Sequence, residues 1–330
     1  MQCSAFEGNY FDEKAVWLKA GPYEAAILPG VGGNLIAFRD VEKGYRILRE
    51  PEQHEMNEFR ALPYVHGIPV LVPPNRFQDG KFRWNGKTYQ LPVNETSRGN
   101  HLHGFLYNVP WSVDDYGSTP NESFVTVSLT VDEQHPVFKY FPFKFTIRLR
   151  YALSVDGLFQ HTYMRNSGEE DLPCLVAFHT AVNAPFAAGS SAKDYRVRLT
   201  IGNRWEMNER MLPTGKFQPL SSVEEQLRGE GVYPFTESWD NHYTAVPQNG
   251  SNRMELTDTK LGVTLVYDVG TSYKQWMIWN NNATEGFFCP EPQMNLVNGP
   301  NTDLPPEEIG VFSLKPGEIW EETSRIYIKG

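Results

Sequence analysis

Phe124-Val125-Thr126-Val127-Ser128-Leu129-Thr130-Val131 alternates apolar and polar side chains without a break from Val125 onward. Successive side chains of an extended chain point to opposite faces, so period two marks a half-buried strand. The pattern returns at Ile147-Arg148-Leu149-Arg150-Tyr151-Ala152-Leu153. Asp156-Gly157 then turns the chain into a second extended run over 158–165, because Asp-Gly tolerates the positive φ values of a tight hairpin. Working outward, strands are expected over 23–28, 34–38, 172–179, 195–201, 242–245, 253–256, 261–267, 275–279, 310–314 and 320–328. In the 261–267 run, Leu261, Val263, Leu265 and Tyr267 form one apolar face. Amphipathic helix patterns are nearly missing. One short helix is expected over 221–227, with Ser221 or Ser222 as N-cap and Glu225 as capping-box partner, and a helical turn in the aromatic, proline-punctuated stretch 135–143. Many short strands divided by Gly/Pro turns, without a composition break or a fixed repeat, predict one all-β sandwich or barrel domain over residues 1–330.

Composition narrows the function classes. A chain of 330 residues with 40% hydrophobic content can bury a large core. Its net charge of −10 and lack of a Lys/Arg run argue against nucleic acid as a partner. Cys3, Cys174 and Cys289 are scattered and odd in number, which suggests neither a disulfide framework nor a thiolate metal site. No basic segment followed by an apolar run opens the chain, and no stretch of ~20 apolar residues occurs to span a membrane. A cytoplasmic protein is expected, with oligomeric state left open.

The chemistry-bearing residues gather first in a block from Pro73 to Phe105. It opens Pro73-Pro74-Asn75-Arg76-Phe77, continues Lys81-Phe82-Arg83-Trp84-Asn85-Gly86-Lys87-Thr88-Tyr89-Gln90-Leu91, and closes Asn100-His101-Leu102-His103-Gly104-Phe105. Asn-Gly between two β-prone runs is a strong hairpin signal. Of 8 histidines in the chain, two fall within three residues here. In an extended segment His101 and His103 would face the same way, as a metal-ligand pair would. Either could instead hydrogen-bond or protonate a ligand, or be a plain loop residue. The adjacent glycine would let a ligand approach the backbone. By contrast, Gly30-Val31-Gly32-Gly33 lacks the third glycine of a dinucleotide-binding loop and reads as a tight turn.

Three further positions stand out. His179 ends the apolar run Cys174-Leu175-Val176-Ala177-Phe178, where a histidine is more often a satisfied core group than a catalyst. Glu291 lies between Pro290 and Pro292, which restrict its backbone and suit a positioned base, although most glutamates are simply solvated. Asp240, in Ser238-Trp239-Asp240-Asn241-His242, could be an ordinary turn aspartate, and His242 could share any role it has. Arg76 offers a planar donor fork suited to adjacent hydroxyls. Trp239, Trp276, Trp279 and Phe105 could stack on a ligand's apolar face, but aromatics in β proteins are more often core and none is taken as a site.

Asn75-Arg76-Phe77, the hairpin from Trp84 to Leu91, Leu102-His103-Gly104 and the Glu291-Pro292 segment followed by Asn295 and Asn298 resemble the aldose 1-epimerases (galactose mutarotases), in the family's order. The resemblance implies an antiparallel β-sandwich supersandwich with a sugar cleft on one concave sheet. It implies Glu291 as base, His179 as acid, His103 beside them, and Arg76, Asn75 and Asp240 binding a sugar substrate, with no metal and no cofactor. After His179 the chain reads Thr180-Ala181-Val182-Asn183, a departure from the family's usual neighbours. Other readings are a hexose-6-phosphate epimerase, which needs a cationic pocket not visible in sequence beyond Arg76, a non-catalytic carbohydrate-binding sandwich, and a metal-dependent barrel enzyme built on His101 and His103.

Overall fold

The alternating run around Val125 forms the strand Ser123–Val131, with Val125, Val127 and Val131 fully buried. It pairs antiparallel with Phe145–Ser154, which pairs in turn with Gly157–Asn166. This is a computed structural model, and it describes residues 2–330. The hairpin turn lies one residue earlier than Asp-Gly suggested: Gly157 already pairs with Ser154. Its φ is 112°, and any side chain at this position would collide with the Ile326 carbonyl, which together explain the glycine. The Asn85-Gly86 hairpin forms as expected, with φ of 47° and 74° at the two turn residues.

Two large antiparallel sheets dominate. The first has eight strands in the order Ser112–Ser118, Ser123–Val131, Phe145–Ser154, Gly157–Asn166, Ile319–Lys329, Val263–Asp268, Arg253–Asp258 and Tyr195–Leu199. The second, here the cleft sheet, runs Pro213–Gln218, Ile201–Met207, Asp240–Ala245, Gln275–Trp279, Gly286–Gln293, Ala177–Phe178 and Val70–Leu71, with Val182–Ala184 also paired to Gly286–Gln293. Leu149, Tyr151 and Leu265 of the first sheet share one buried cluster with Tyr243, Trp276, Ile278 and Phe288 of the cleft sheet. This is the expected all-β sandwich. A five-stranded meander, Cys3–Tyr10 through Tyr45–Arg46, packs beside it.

Several local expectations are corrected. The run 172–179 is two short strands, Leu172–Pro173 and Ala177–Phe178, because each pairs with a different sheet. Leu261 lies outside Val263–Asp268 and is exposed, so the apolar face begins at Val263. Only Ser313–Leu314 of 310–314 is strand. The helix Ser222–Arg228 is capped by Ser221, and its capping-box partner is Glu224, the third residue past the cap, rather than Glu225. The helix Met56–Ala61 and the strands Cys3–Tyr10 and Glu13–Ala20 carry weak periodicity and lie outside the expected elements.

Candidate active site

Three neighbouring strands of the cleft sheet decide where the site lies. Asp240 pairs with Trp279, His242 with Met277, and Met277 with Glu291. Residues opposite one another in a sheet project from the same face. Hence Asp240, His242, Met277, Trp279, Glu291 and Gln293 all stand on the face turned away from the core side that Trp276 and Ile278 occupy. Glu291 sits inside the strand Gly286–Gln293, and its flanking prolines pair with Ile278 and Trp276. Over this face close the loops bearing Tyr64, Asn75, Arg76, His103 and His179, leaving a cavity of about 140 Å³ lined by these five residues together with Asp240, Met277 and Trp279. Larger hollows exist elsewhere, such as one of about 560 Å³ beside Asn9 and Lys14, but they gather no comparable set of buried titratable groups.

Glu291 and His179 are both buried, with Glu291 Oε1 3.3 Å from His179 Nε2. The contact lacks hydrogen-bond alignment, so Glu291 Oε1 has no hydrogen-bond partner among the described residues, and neither has Nδ1 on the other side of the His179 ring. Gln293 Nε2 donates to the other carboxylate oxygen at 3.3 Å. Burial pushes the Glu291 carboxyl well above its usual range, and the charge of Asp240 adds to this, against the Gln293 hydrogen bond and Arg76. Burial likewise pulls His179 down to about 4, with Arg76 acting in the same direction and a backbone hydrogen bond opposing. Desolvation thus favours the uncharged form of each group.

Arg76 supplies the cavity's fixed positive charge. Its Nε donates to both oxygens of Glu95 at 3.1 Å, and its Nη2 lies 3.6 Å from Asp240 Oδ2. Burial opposes ionisation of Glu95, but Asn100, Arg76 and Arg98 outweigh it and hold that carboxyl below its ordinary value. The second Asp240 oxygen is buried and unpartnered. Asn75 and His103 both occupy the left-handed region, with φ of 57° and 67°. Neither is glycine, so this conformation is held by its surroundings. The His103 N–H donates to the Asn75 carbonyl at 3.0 Å, and Asn75 Oδ1 accepts from the Arg76 N–H at 2.9 Å. The first of these bonds holds the two ends of the 73–105 block together, and the second orients the Asn75 side chain beside Arg76. His103 is pulled well below the usual histidine range, first by burial and then by His179 and Arg76.

Every sequence-predicted site residue, Asn75, Arg76, His103, His179, Asp240 and Glu291, therefore meets around one cavity or on its floor. The pairing of His101 with His103 is corrected. His103 is not extended, and the His101 ring instead packs at a tilt against Phe105 with Nδ1 2.8 Å from the Pro92 carbonyl, in a separate hollow. Among the described residues, no three His, Cys, Asp or Glu side chains cluster as metal ligands would. Gly104 likewise serves the fold: a side chain there would strike the Val72 and Pro73 carbonyls, so the close approach is to backbone and not to a ligand. Trp239 and Trp276 are core, whereas Trp279 lines the cavity.

Sequence reasoning missed Glu95, Gln293 and Tyr64. The Tyr64 ring centroid lies 4.9 Å from that of His103 and 5.9 Å from that of His179. Nothing local marks Tyr64 or Glu95. Gln293 was findable, since it is two residues beyond Glu291 and so on the same strand face. His242 is buried on this face too, its Nε2 unpartnered, and burial followed by Arg76 and Arg204 pulls it down to about 3.

The arrangement sets two proton-exchanging groups, whose burial favours their uncharged forms, beside an arginine and an aspartate, under aromatic walls. That is suited to moving protons on a polyhydroxylated ligand. Comparison with known proteins gives the family and the fold. The family model described as aldose 1-epimerase matches residues 14–327. The chain is 33% identical to a galactose mutarotase-like protein from Clostridium acetobutylicum, over 99% of this chain and 98% of that one, with a TM-score of 0.95. A galactose 1-epimerase from Lactobacillus acidophilus NCFM shares the fold at a TM-score of 0.73 and 15% identity, over 100% and 99% of the two chains. The uncharacterized protein YihR of Escherichia coli K12 is 27% identical over 64% of this chain, and the match spans 63% of that relative's length.

Proposed function

The chain belongs to the aldose 1-epimerase family, and from that premise we propose that it interconverts the α and β anomers of an aldose. The observation that supports this best is the Glu291–His179 pair, 3.3 Å apart, unaligned with each other and set at the cavity beside Arg76. Mutarotation needs one group to take the proton of the anomeric hydroxyl and one to protonate the ring oxygen. The ring opens to the aldehyde, C1 turns about the C1–C2 bond, and closure on the other face reverses both transfers.

In this reading burial, which pushes the Glu291 carboxyl up and pulls His179 down, favours keeping the pair's exchangeable proton on Glu291 before sugar binds. Moving it to His179 leaves the pair's net charge unchanged and produces the carboxylate base and imidazolium acid that ring opening requires. Arg76, His103, Asn75 and Asp240 bind the sugar's oxygens in this reading, and Trp279 and Tyr64 cover its C–H faces. Because the groups are coupled, the pH–rate profile belongs to the pair. Activity is lost on the acid side when His179 takes a second proton, which burial opposes until about pH 4. It is lost on the alkaline side when the pair gives up its single proton, which burial of Glu291 delays. A broad plateau across neutral pH is expected.

The test is saturation-transfer NMR on anomeric protons over a panel of aldoses. Exchange faster than in buffer alone is expected for at least one sugar. Binding without acceleration would favour a non-catalytic sandwich. Dialysis against EDTA should leave the rate unchanged, and a loss restored by zinc or manganese would bring a metal into the reaction.

A further inference from the structure

Four arginines fall between residues 39 and 60. Arg39 pairs with Glu50, Arg46 with Glu52, and Arg60 with Asp12 and Glu13. Arg49 is half-buried and forms no ion pair among the described residues. Its Nη1 donates to the Val65 carbonyl at 3.1 Å, while Nε and Nη2 have no acceptor among the described residues. The guanidinium lies 4.0 Å from the Phe287 ring centroid. Glu55 and Glu58 are close enough to be felt electrostatically, as are Cys289 and His66, but neither glutamate binds it.

The position of Arg49 is what matters. Val65, its backbone partner, lines the cavity. Phe287, beneath it, packs on Trp279 at 5.9 Å between centroids, and Trp279 lines the cavity as well. Arg49 therefore braces Val65 and Phe287 from outside the cavity lining, and its Nε and Nη2 have no acceptor among the described residues. A half-desolvated guanidinium stacked on an aromatic ring is held flat and pre-oriented, so it loses little freedom on binding an anion. Burial without a counter-charge is costly and lowers its affinity for its own proton; an incoming anion would relieve that cost.

We propose that Arg49 binds a compact anionic group carried by the aldose away from C1, and so selects charged sugars over neutral ones. The proposal rests on the mutarotase reading above and names its substrate class. A 6-phosphate and a 6-carboxylate offer the same chemistry to the fork, and the assay separates them.

The experiment measures kcat/KM for anomer exchange, above the protein-free rate, with a neutral aldohexose, its 6-phosphate and the corresponding hexuronate. The parent should favour at least one of the two anions over the neutral sugar by about tenfold or more, the scale of a charge-assisted contact. That preference should shrink as ionic strength rises. Arg49→Gln should lower the charged-to-neutral ratio by a similar factor, and Arg49→Lys should retain part of it. The lysine variant and the salt dependence of the parent keep the test valid if the glutamine variant folds poorly. Acceleration of the neutral sugar alone, or an equal loss on all three sugars in Arg49→Gln, overturns this inference and leaves the mutarotase reading standing. Acceleration of none of the tested aldoses overturns the inference and counts against that reading too.

Discussion

The strand Gln275–Trp279 has two faces that differ by a one-residue step and by everything else. Trp276 and Ile278 are fully buried in the main core, and the Trp276 indole donates to Asn252 at 2.7 Å. Met277 and Trp279 stand on the other side, over the cavity, among buried polar atoms that lack partners: Glu291 Oε1, His179 Nδ1, Asp240 Oδ1 and His242 Nε2. Buried polar groups in folded proteins are nearly always satisfied, so a cluster of exceptions needs an explanation. In the proposed reading a ligand's hydroxyls complete the set: one face serves stability, and the other leaves hydrogen-bonding capacity free for binding and proton transfer.

The sharpest way to break this contrast is to compare substitutions on the two faces. Glu291→Gln and His179→Asn should each lower kcat by roughly 10²–10⁴-fold, the usual worth of a positioned acid or base, while unfolding midpoints stay close to the parent's. Ile278→Ala should do the reverse: about 2–5 kcal/mol of stability lost to the cavity left behind, with turnover per folded molecule retained. Urea unfolding and NMR exchange on the same samples decide the matter. Equal behaviour of the two groups would mean that the faces are not functionally distinct.

Arg76→Lys sharpens the comparison within the cavity. Lysine keeps the charge but cannot reproduce the fork that grips both Glu95 oxygens while reaching toward Asp240. Catalytic efficiency should fall by about 1.5–3 kcal/mol, the scale of a hydrogen bond to a charged group. Unaltered kinetics in a folded variant would remove Arg76 from substrate binding.

A smaller effect concerns pH. His66, His101, His179 and His242 are held by burial at about 3, 4, 4 and 3. Unfolded, each titrates near ~6.5. Between those values the unfolded chain binds more protons, so stability is fully present above about pH 6.5 and falls as pH drops toward 4. Glu291 has the opposite sign, its raised value making it a mild liability at neutral pH. Thermal midpoints from pH 7 to pH 4 should fall in the parent and fall more steeply in Glu291→Gln, which lacks the offsetting carboxyl. A flat profile would show that these rings are not held neutral.

Much of this was legible in the chain. Period two at Val125 to Val131, the Asn85-Gly86 turn and the scarcity of helical patterns carry the all-β class, because side-chain alternation is a local property of extended backbone. Motifs in the 73–105 block and around Glu291 led to Asn75, Arg76 and His103, which line the cavity, and to Glu291, which lies buried against His179 of its lining. Glu95 and Tyr64 were not legible: they matter through what they touch, and their contacts depend on loop paths that no local pattern encodes. His101 misled for a related reason. Its spacing from His103 implied a shared direction, but the left-handed backbone at His103 separates the two rings.

By itself the sequence determined many of the strands, most of the turns and the identity of the polar groups available for chemistry. Which of those groups meet was decided by tertiary structure. Residues 76, 179, 240 and 291 are far apart along the chain and are joined only by strand register and loop closure. Their protonation was decided there as well: a carboxyl and an imidazole are charged or neutral according to the water they lose, and burial is a property of the assembled fold.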